Sequence, residues 1–247
     1  MSFKQFGFNE KVVAGVEAAG YKMPTPIQLQ SVPPIMEGRD VMGLAQTGTG
    51  KTAAFVLPIL HRLLSGQRGH VRALVVAPTR ELSEQIHEAI VHLGQKTGLT
   101  SAAIYGGVSL HSQINKLGSR VDILCACPGR LLDHIGRGTV DLSSVEVLVL
   151  DEADHMFDMG FLPDVRKIVN HLPRRRQTLL FSATMPAEIR SLTGDLLTNP
   201  VYVEIGHVAP AMTVSHTFYS VQMEQKTALL KDILAKTRTR SVLVFTR

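Results

Sequence analysis

Ala45-Gln46-Thr47-Gly48-Thr49-Gly50-Lys51-Thr52 is the stretch on which the reading of this chain turns. It follows an apolar strand candidate, Val41–Ala45, and opens a helix candidate, Thr52–Leu64. Strand, glycine-rich loop and helix in that order form the context of a phosphate-binding loop. The glycines let backbone N–H groups converge on phosphate oxygens, and the helix N-terminus adds partial positive charge. Lys51 can bring a point charge to the β- and γ-phosphates of a nucleotide, and the Thr52 hydroxyl can ligate magnesium. The general pattern departs at one position, where Ala45 replaces the first glycine. The competing reading is a Gly/Thr-rich turn before an ordinary helix.

Such a site needs a carboxylate at the end of a buried strand, and Val147–Leu150 followed by Asp151-Glu152-Ala153-Asp154 supplies one. Asp151 is placed to hold magnesium, directly or through water, since that ion keeps several waters and takes few protein ligands. Glu152 is the candidate base that orients or deprotonates the attacking water. Alone, an acidic run after a strand is a solvated turn. Paired with the upstream loop it reads as the second half of the site.

Around these two stretches, short β-branched runs alternate with helical patterns. Strands are expected at Ala73–Ala77, Ser101–Tyr105, Ile123–Ala126, Val145–Leu150, Thr178–Ser182 and Val201–Ile205. Helices are expected near Glu81–Leu93, Ser109–Leu117, Leu131–Ile135, Leu162–His171 and Ala187–Leu196. This alternation predicts a mainly parallel, three-layer α/β sheet with ligands beyond the carboxyl ends of its strands. With 45% hydrophobic and 19% charged residues in 247, there is material for a packed core and too little charge for a disordered chain. No apolar run is long enough to span a bilayer, and Met1–Gln5 does not begin a secretory signal. Two cysteines, Cys125 and Cys127, make no disulfide framework and suit a reducing cytoplasm; as a C-x-C pair they are a weak metal signal.

The net charge is +5, but Val208–Arg247 holds six basic residues against two acidic ones, leaving only +1 for residues 1–207. Any grip on nucleic acid therefore comes from placed groups and not from a basic surface. The small, Pro-containing segment 207–212 reads as a linker after a large domain, 1–206. Beyond it, strand candidates Ser215–Val221 and Val242–Thr246 flank a helix candidate, Glu224–Ala235. One β-α-β step is too small for its own core, so 213–247 reads as the start of a second domain cut short.

Asp151-Glu152-Ala153-Asp154 spells DEAD, and with 45–52 the chain resembles the DEAD-box RNA helicase family. Gly20-Tyr21-Lys22-Met23-Pro24-Thr25-Pro26-Ile27-Gln28 resembles its Q motif, with Phe3 at the upstream aromatic position. Pro78-Thr79-Arg80-Glu81-Leu82, Gly106-Gly107, Pro128-Gly129-Arg130 and Ser182-Ala183-Thr184 match its further motifs in order, and Val242–Arg247 resembles the start of the next domain's first motif. The run Asp154–Phe161 is similar to the bacterial RhlE-like branch.

The resemblance implies a RecA-like domain, with the Q motif in 1–28 and an ATP-binding core in 29–206, followed by a truncated second RecA-like domain. It implies ATP and Mg2+, held by Ala45, Gln46, Thr47, Gly48, Thr49, Gly50, Lys51 and Thr52 with Asp151. Gln28 has the donor and acceptor that the N6 and N7 edge of adenine requires. Phe3 or Tyr21 would cover the base, and Lys22 would contact it through its backbone. Pro78, Thr79, Arg80, Gly106, Gly107, Pro128, Gly129 and Arg130 would hold the RNA backbone without reading its sequence. Cys127 stands where the family has threonine, which weakens one phosphate contact. The hydroxyls of Ser182 and Thr184 would bond Asp154 and couple nucleotide to RNA. The implied function is ATP hydrolysis coupled to local RNA duplex separation or RNP remodelling in a bacterial cytoplasm, away from any membrane. The fragment alone is not expected to unwind. The alternatives are an RNA-clamping module that is no processive motor, and a DNA helicase or other phosphate-loop ATPase.

Overall fold

The computed structural model describes residues 2–206, 215, 217–237 and 241–245. Strands β1 Val41–Leu44, β2 Ala73–Val76, β3 Ser101–Ile104, β4 Ile123–Ala126, β5 Val147–Leu150, β6 Gln177–Ser182 and β7 Val201–Glu204 form one sheet. Their order across it is β3-β4-β2-β5-β6-β1-β7, and every pairing is parallel. The sheet is thus wholly and not mainly parallel, because each connection between strands is a helical crossover and none is a hairpin.

The helices are α1 Glu10–Ala18, α2 Pro26–Met36, α3 Lys51–Leu63, α4 Arg80–Gly94, α5 Leu110–Leu117, α6 Pro128–Gly136, α7 Ala153–Asp158, α8 Leu162–Asn170 and α9 Ala187–Leu196. Side chains alternate along a strand, and the alternation divides the core. Val75, Cys125, Val149 and Phe181 pack on one side with Val16, Ile27, Phe55 and Ile86 of α1–α4. Leu74, Leu124, Leu148 and Leu180 pack on the other with Leu131, Val165 and Leu192 of α6, α8 and α9. Gly43 of β1 makes room for this packing: a Cβ there would stand 2.5 Å from the Phe181 ring.

Helices α1, α2 and α7 lie outside the alternation read from the sequence. Pro33 and Pro34 interrupt the pattern of α2, and a proline inside a helix costs about 3 kcal/mol. Burial of Ile27, Val32 and Ile35 holds the helix regardless.

The chain's contacts divide after residue 207. The expected linker, 207–212, lies outside the described residues. In the second unit, helix α10 spans Lys226–Lys236, two residues on from the expected start. The expected strands at Ser215–Val221 and Val242–Thr246 are corrected: residues 215, 217–221 and 242–245 are not strand, and residues 216 and 246 lie outside the described residues. A strand exists through hydrogen bonds to a neighbour, and no apolar run makes one alone.

Candidate active site

Three neighbouring strands, β5, β6 and β1, deliver 151–154, 182–184 and 45–50 to the same end of the sheet. Gly48 (φ 79°) and Gly50 (φ 95°) turn the loop after β1 through left-handed conformations, and Lys51 then opens α3. The Lys51 ammonium donates to the Ala45 carbonyl at 2.8 Å, and the residue is only 6% exposed. This bond uses the backbone of Ala45, whose φ is negative, so the missing glycine costs the loop nothing. The Thr49 hydroxyl donates to the Gln46 carbonyl at 2.7 Å. Thr47 and Gly48 form the exposed tip, and Thr52 is half-buried in the first turn of α3.

Gln28 lies behind this loop and is 1% exposed. Its Oε1 accepts the Thr25 N–H at 2.9 Å, capping α2, and its Nε2 donates to the Gly50 carbonyl at 3.0 Å. Half of the amide's capacity therefore braces the loop, leaving one N–H and one lone pair. Phe3 lies under Tyr21. It is 4% exposed and meets Phe6 and Tyr21 edge-on, each at 6.1 Å. The ring open to a base is Tyr21; Phe3 is drawn into the core because its turn, Phe3–Phe6, packs on α1. Lys22 is exposed beside it.

Asp151 is 2% exposed and accepts the Glu152 N–H at 3.0 Å. Burial pushes its carboxyl up to about 6, against the pull of the Lys51 ammonium and with the push of Glu152 and Asp154. A carboxylate so poorly solvated gains from a divalent cation beside it, and Asp151 and Thr52 are the hard oxygen donors that magnesium takes. The residues fit that ion. Glu152 has φ 52°, a conformation that costs a side-chain-bearing residue about 1–2 kcal/mol. Its Oε2 stands 3.5 Å from His155 Nδ1.

Asp154 and Thr184 meet as expected: Asp154 Oδ2 accepts both the backbone N–H and the hydroxyl of Thr184, each at 2.9 Å. Ser182 meets Asp154 as well, its hydroxyl oxygen also accepting the Asp154 N–H at 3.2 Å. Burial raises the Asp154 carboxyl, but the Thr184 and Ser182 hydroxyls and two backbone N–H groups outweigh it and hold the group below its ordinary range.

The loops after β3, β4 and β2 form a second contiguous rim. Helices α4, α5 and α6 begin there. Pro78 is buried, and Thr79 caps α4 by accepting the Leu82 N–H at 3.2 Å. Arg80 is exposed, with its guanidinium carbon 4.9 Å from the Tyr105 ring centroid. Gly106 and Gly107 (φ 79°) have open space where a Cβ would be, as has Gly129 in the first turn of α6 beside buried Pro128.

Arg130 is mostly buried. Its side chain is 13% exposed, and its Nη1 donates inward to the Val108 carbonyl at 3.1 Å and to Gln113 Oε1 at 3.0 Å. Gln113, 3% exposed, in turn donates to the Tyr105 carbonyl at 3.0 Å. The arginine turns inward because these buried acceptors need a donor, and so it fastens the Gly106–Gly107 loop from within. Gln113 was not legible as part of the site; its signal is a glutamine at the buried position of an amphipathic helix.

Cys127 occupies the N-cap of α6 without a side-chain cap, and its backbone (φ −86°, ψ 141°) already suits one. Burial, with Glu81 adding to it, pushes the thiol up to about 11. Cys127→Thr should add the missing cap and stabilise the fold by about 1 kcal/mol, raising Tm by about 2–4 °C. An unchanged melting curve would show that no cap forms.

The model of the DEAD/DEAH box helicase family matches residues 25–192. The chain is 40% identical over 250 residues to the DEAD-box ATP-dependent RNA helicase RhpA of Helicobacter pylori, covering 100% of this chain and 50% of that protein. It is 41% identical over 246 residues to the ATP-dependent RNA helicase CshA of Listeria monocytogenes, covering 99% and 47%. The chain thus spans about half the length of the curated relatives it matches. Among solved structures, a DEAD box protein from Methanococcus jannaschii aligns with TM-score 0.78 and 32% identity, covering 95% of this chain and 63% of that one. A hypothetical ATP-dependent RNA helicase from Sulfolobus tokodaii aligns with TM-score 0.74 and 41% identity, covering 80% and 57%.

Proposed function

The chain belongs to the DEAD/DEAH box helicase family, and from that premise we propose that it is the nucleotide-binding half of an ATP-dependent RNA helicase. One observation carries the reading. The sheet order puts the loops of β1, β6 and β5 side by side and those of β3, β4 and β2 side by side, and within the first group Asp154, after the β5 strand that borders β2, is bonded to Thr184 after β6. ATP occupies the first group. Lys51 and the loop N–H groups of 46–50 hold its phosphates, Gln28 and Tyr21 its base. Magnesium, when bound to Asp151 and Thr52, supplies charge opposite the phosphates. Glu152 takes or orients the proton of the attacking water, held in position by its unusual backbone.

RNA occupies the second group. Neighbouring strands are about 4.8 Å apart, so three loop mouths lie within roughly 10 Å and present the starts of α4, α5 and α6 to a phosphate backbone. Thr79, Arg80, Gly106, Gly107 and Gly129 make the contacts, and Arg130 shapes the rim from inside. The Asp154–Thr184 bond links the two ligands. The run Asp154–Phe161 supports the RhlE-like branch, and the bacterial relatives support a bacterial cytoplasm.

Turnover of ATP by the intact protein tests this reading. RNA should stimulate it strongly and DNA of the same sequence should not, since the 2′-hydroxyl distinguishes them. Equal stimulation by both would favour a DNA helicase instead. ATP binding without stimulated turnover would favour an RNA clamp.

A further inference from the structure

Arg80 is the one exposed cation that the rim offers from α4, and its own helix places a rival for it one turn on. Residues four apart on a helix are neighbours, so the carboxylate of Glu84 stands within reach of the Arg80 guanidinium. Yet Arg80 forms no ion pair among the described residues. Glu84 is engaged elsewhere: its Oε1 accepts a hydrogen bond from the Tyr105 hydroxyl. The same Tyr105 turns its ring to Arg80, 4.9 Å from centroid to guanidinium carbon. One tyrosine therefore holds both members of a pair that would otherwise close on itself.

The consequence follows from the shape of the guanidinium. An aromatic ring takes its face, whereas a phosphate takes its edge, where the N–H donors lie. A carboxylate also takes the edge and competes directly with phosphate. Tyr105 is 7% exposed, and its ring is positioned by the strand β3 on which the Gly106–Gly107 loop is mounted. The bond to Glu84 also holds the phenol above its ordinary range, so its proton stays in place at neutral pH.

We propose that Tyr105 and Glu84 are positioning residues for RNA binding: Tyr105 engages Oε1 of the Glu84 carboxylate and lies under Arg80, so that the guanidinium N–H groups not turned to the phenol oxygen are kept for a backbone phosphate. This rests on the reading that Arg80 meets RNA. Tyr105→Phe keeps the ring and removes only the hydroxyl, so the fold and the stacking survive while Glu84 is released to pair with Arg80.

The test is fluorescence-anisotropy titration of the chain with a labelled single-stranded oligouridylate at low salt. Tyr105→Phe should weaken binding roughly two- to fivefold, the range an exposed ion pair commands. Glu84→Gln in the Tyr105→Phe background should restore most of the lost binding, because a neutral amide competes for the guanidinium far more weakly than a carboxylate. A purely structural role for Tyr105 predicts no such rescue. Unchanged affinity of Tyr105→Phe, or a double variant as weak as the single one, overturns the proposal. Arg80→Ala separates the two levels of the argument. If it weakens binding about tenfold or more while Tyr105→Phe does nothing, Arg80 meets RNA and the positioning role is wrong. If Arg80→Ala has no effect, the RNA contact itself is wrong and the positioning role falls with it.

Discussion

Lys51→Ala should lower the affinity of the chain for ATP-magnesium by at least about tenfold, the largest effect expected of any single substitution at the site. A hydrogen bond to a charged group contributes about 1.5–3 kcal/mol, which converts to roughly ten- to a hundredfold in binding. The ammonium is already desolvated, at 6% exposure, and it donates to the Ala45 carbonyl. Exchanging that neutral acceptor for anionic phosphate oxygens needs only a small movement within the loop. Alanine keeps the helix propensity of α3 and leaves Gly48 and Gly50 as they are, so the loop's shape should persist. Isothermal titration calorimetry measures the difference. Equal affinities would mean that Lys51 braces the loop and does not contact the nucleotide.

Asp151→Asn should do two opposite things: stabilise the nucleotide-free protein and abolish the benefit of magnesium to ATP binding. The carboxyl is pushed up to about 6 in the fold from an ordinary 3.8. A raised acid leaves its penalty absent below about pH 3.8, where both states are protonated, and imposes it progressively as pH rises through 6. Above that, the ionised carboxylate costs on the order of 3 kcal/mol, at 1.36 kcal/mol per tenfold in the proton equilibrium. Asparagine carries no charge, so at pH 7.5 its Tm should exceed the parent's by about 6–12 °C, and the advantage should vanish toward pH 4. Thermal melts across that window give the stability half, and ATP titrations with and without magnesium give the other. A parent protein more stable than the variant at pH 7.5 would show that Asp151 is satisfied without an ion.

Much of this was legible in the residues alone. Ile123–Ala126 and Ala187–Leu196 have the bounds expected of them, since buried strands and amphipathic helices advertise themselves by period. The phosphate loop and the acidic run were legible because their chemistry is local: a few residues in order, between a strand and a helix. The side-chain direction of Arg130 was not legible because it is set from farther along the chain. Arg130 turns inward for acceptors at Val108 and Gln113, 22 and 17 residues away. Tyr105 reaches Glu84 across 21 residues, and no period or spacing marks that pair.

The sequence by itself determined which residues stand at strand ends, because apolar runs and turn residues decide where each strand stops. Only the tertiary structure decided which strand ends are neighbours. Along the chain the motifs follow β1, β2, β3, β4, β5 and β6; across the sheet they stand β3, β4, β2, β5, β6, β1. Parallel strands need a crossover, and a crossover can carry the chain past strands not yet formed. The step from β1 to β2 leaves room that β5 and β6 later fill, and this brings Asp151 and Thr184 beside the phosphate loop while moving Arg80 away from it. Packing the helices on both faces of the twisted sheet selects that order, and nothing in the local pattern of any one strand contains it.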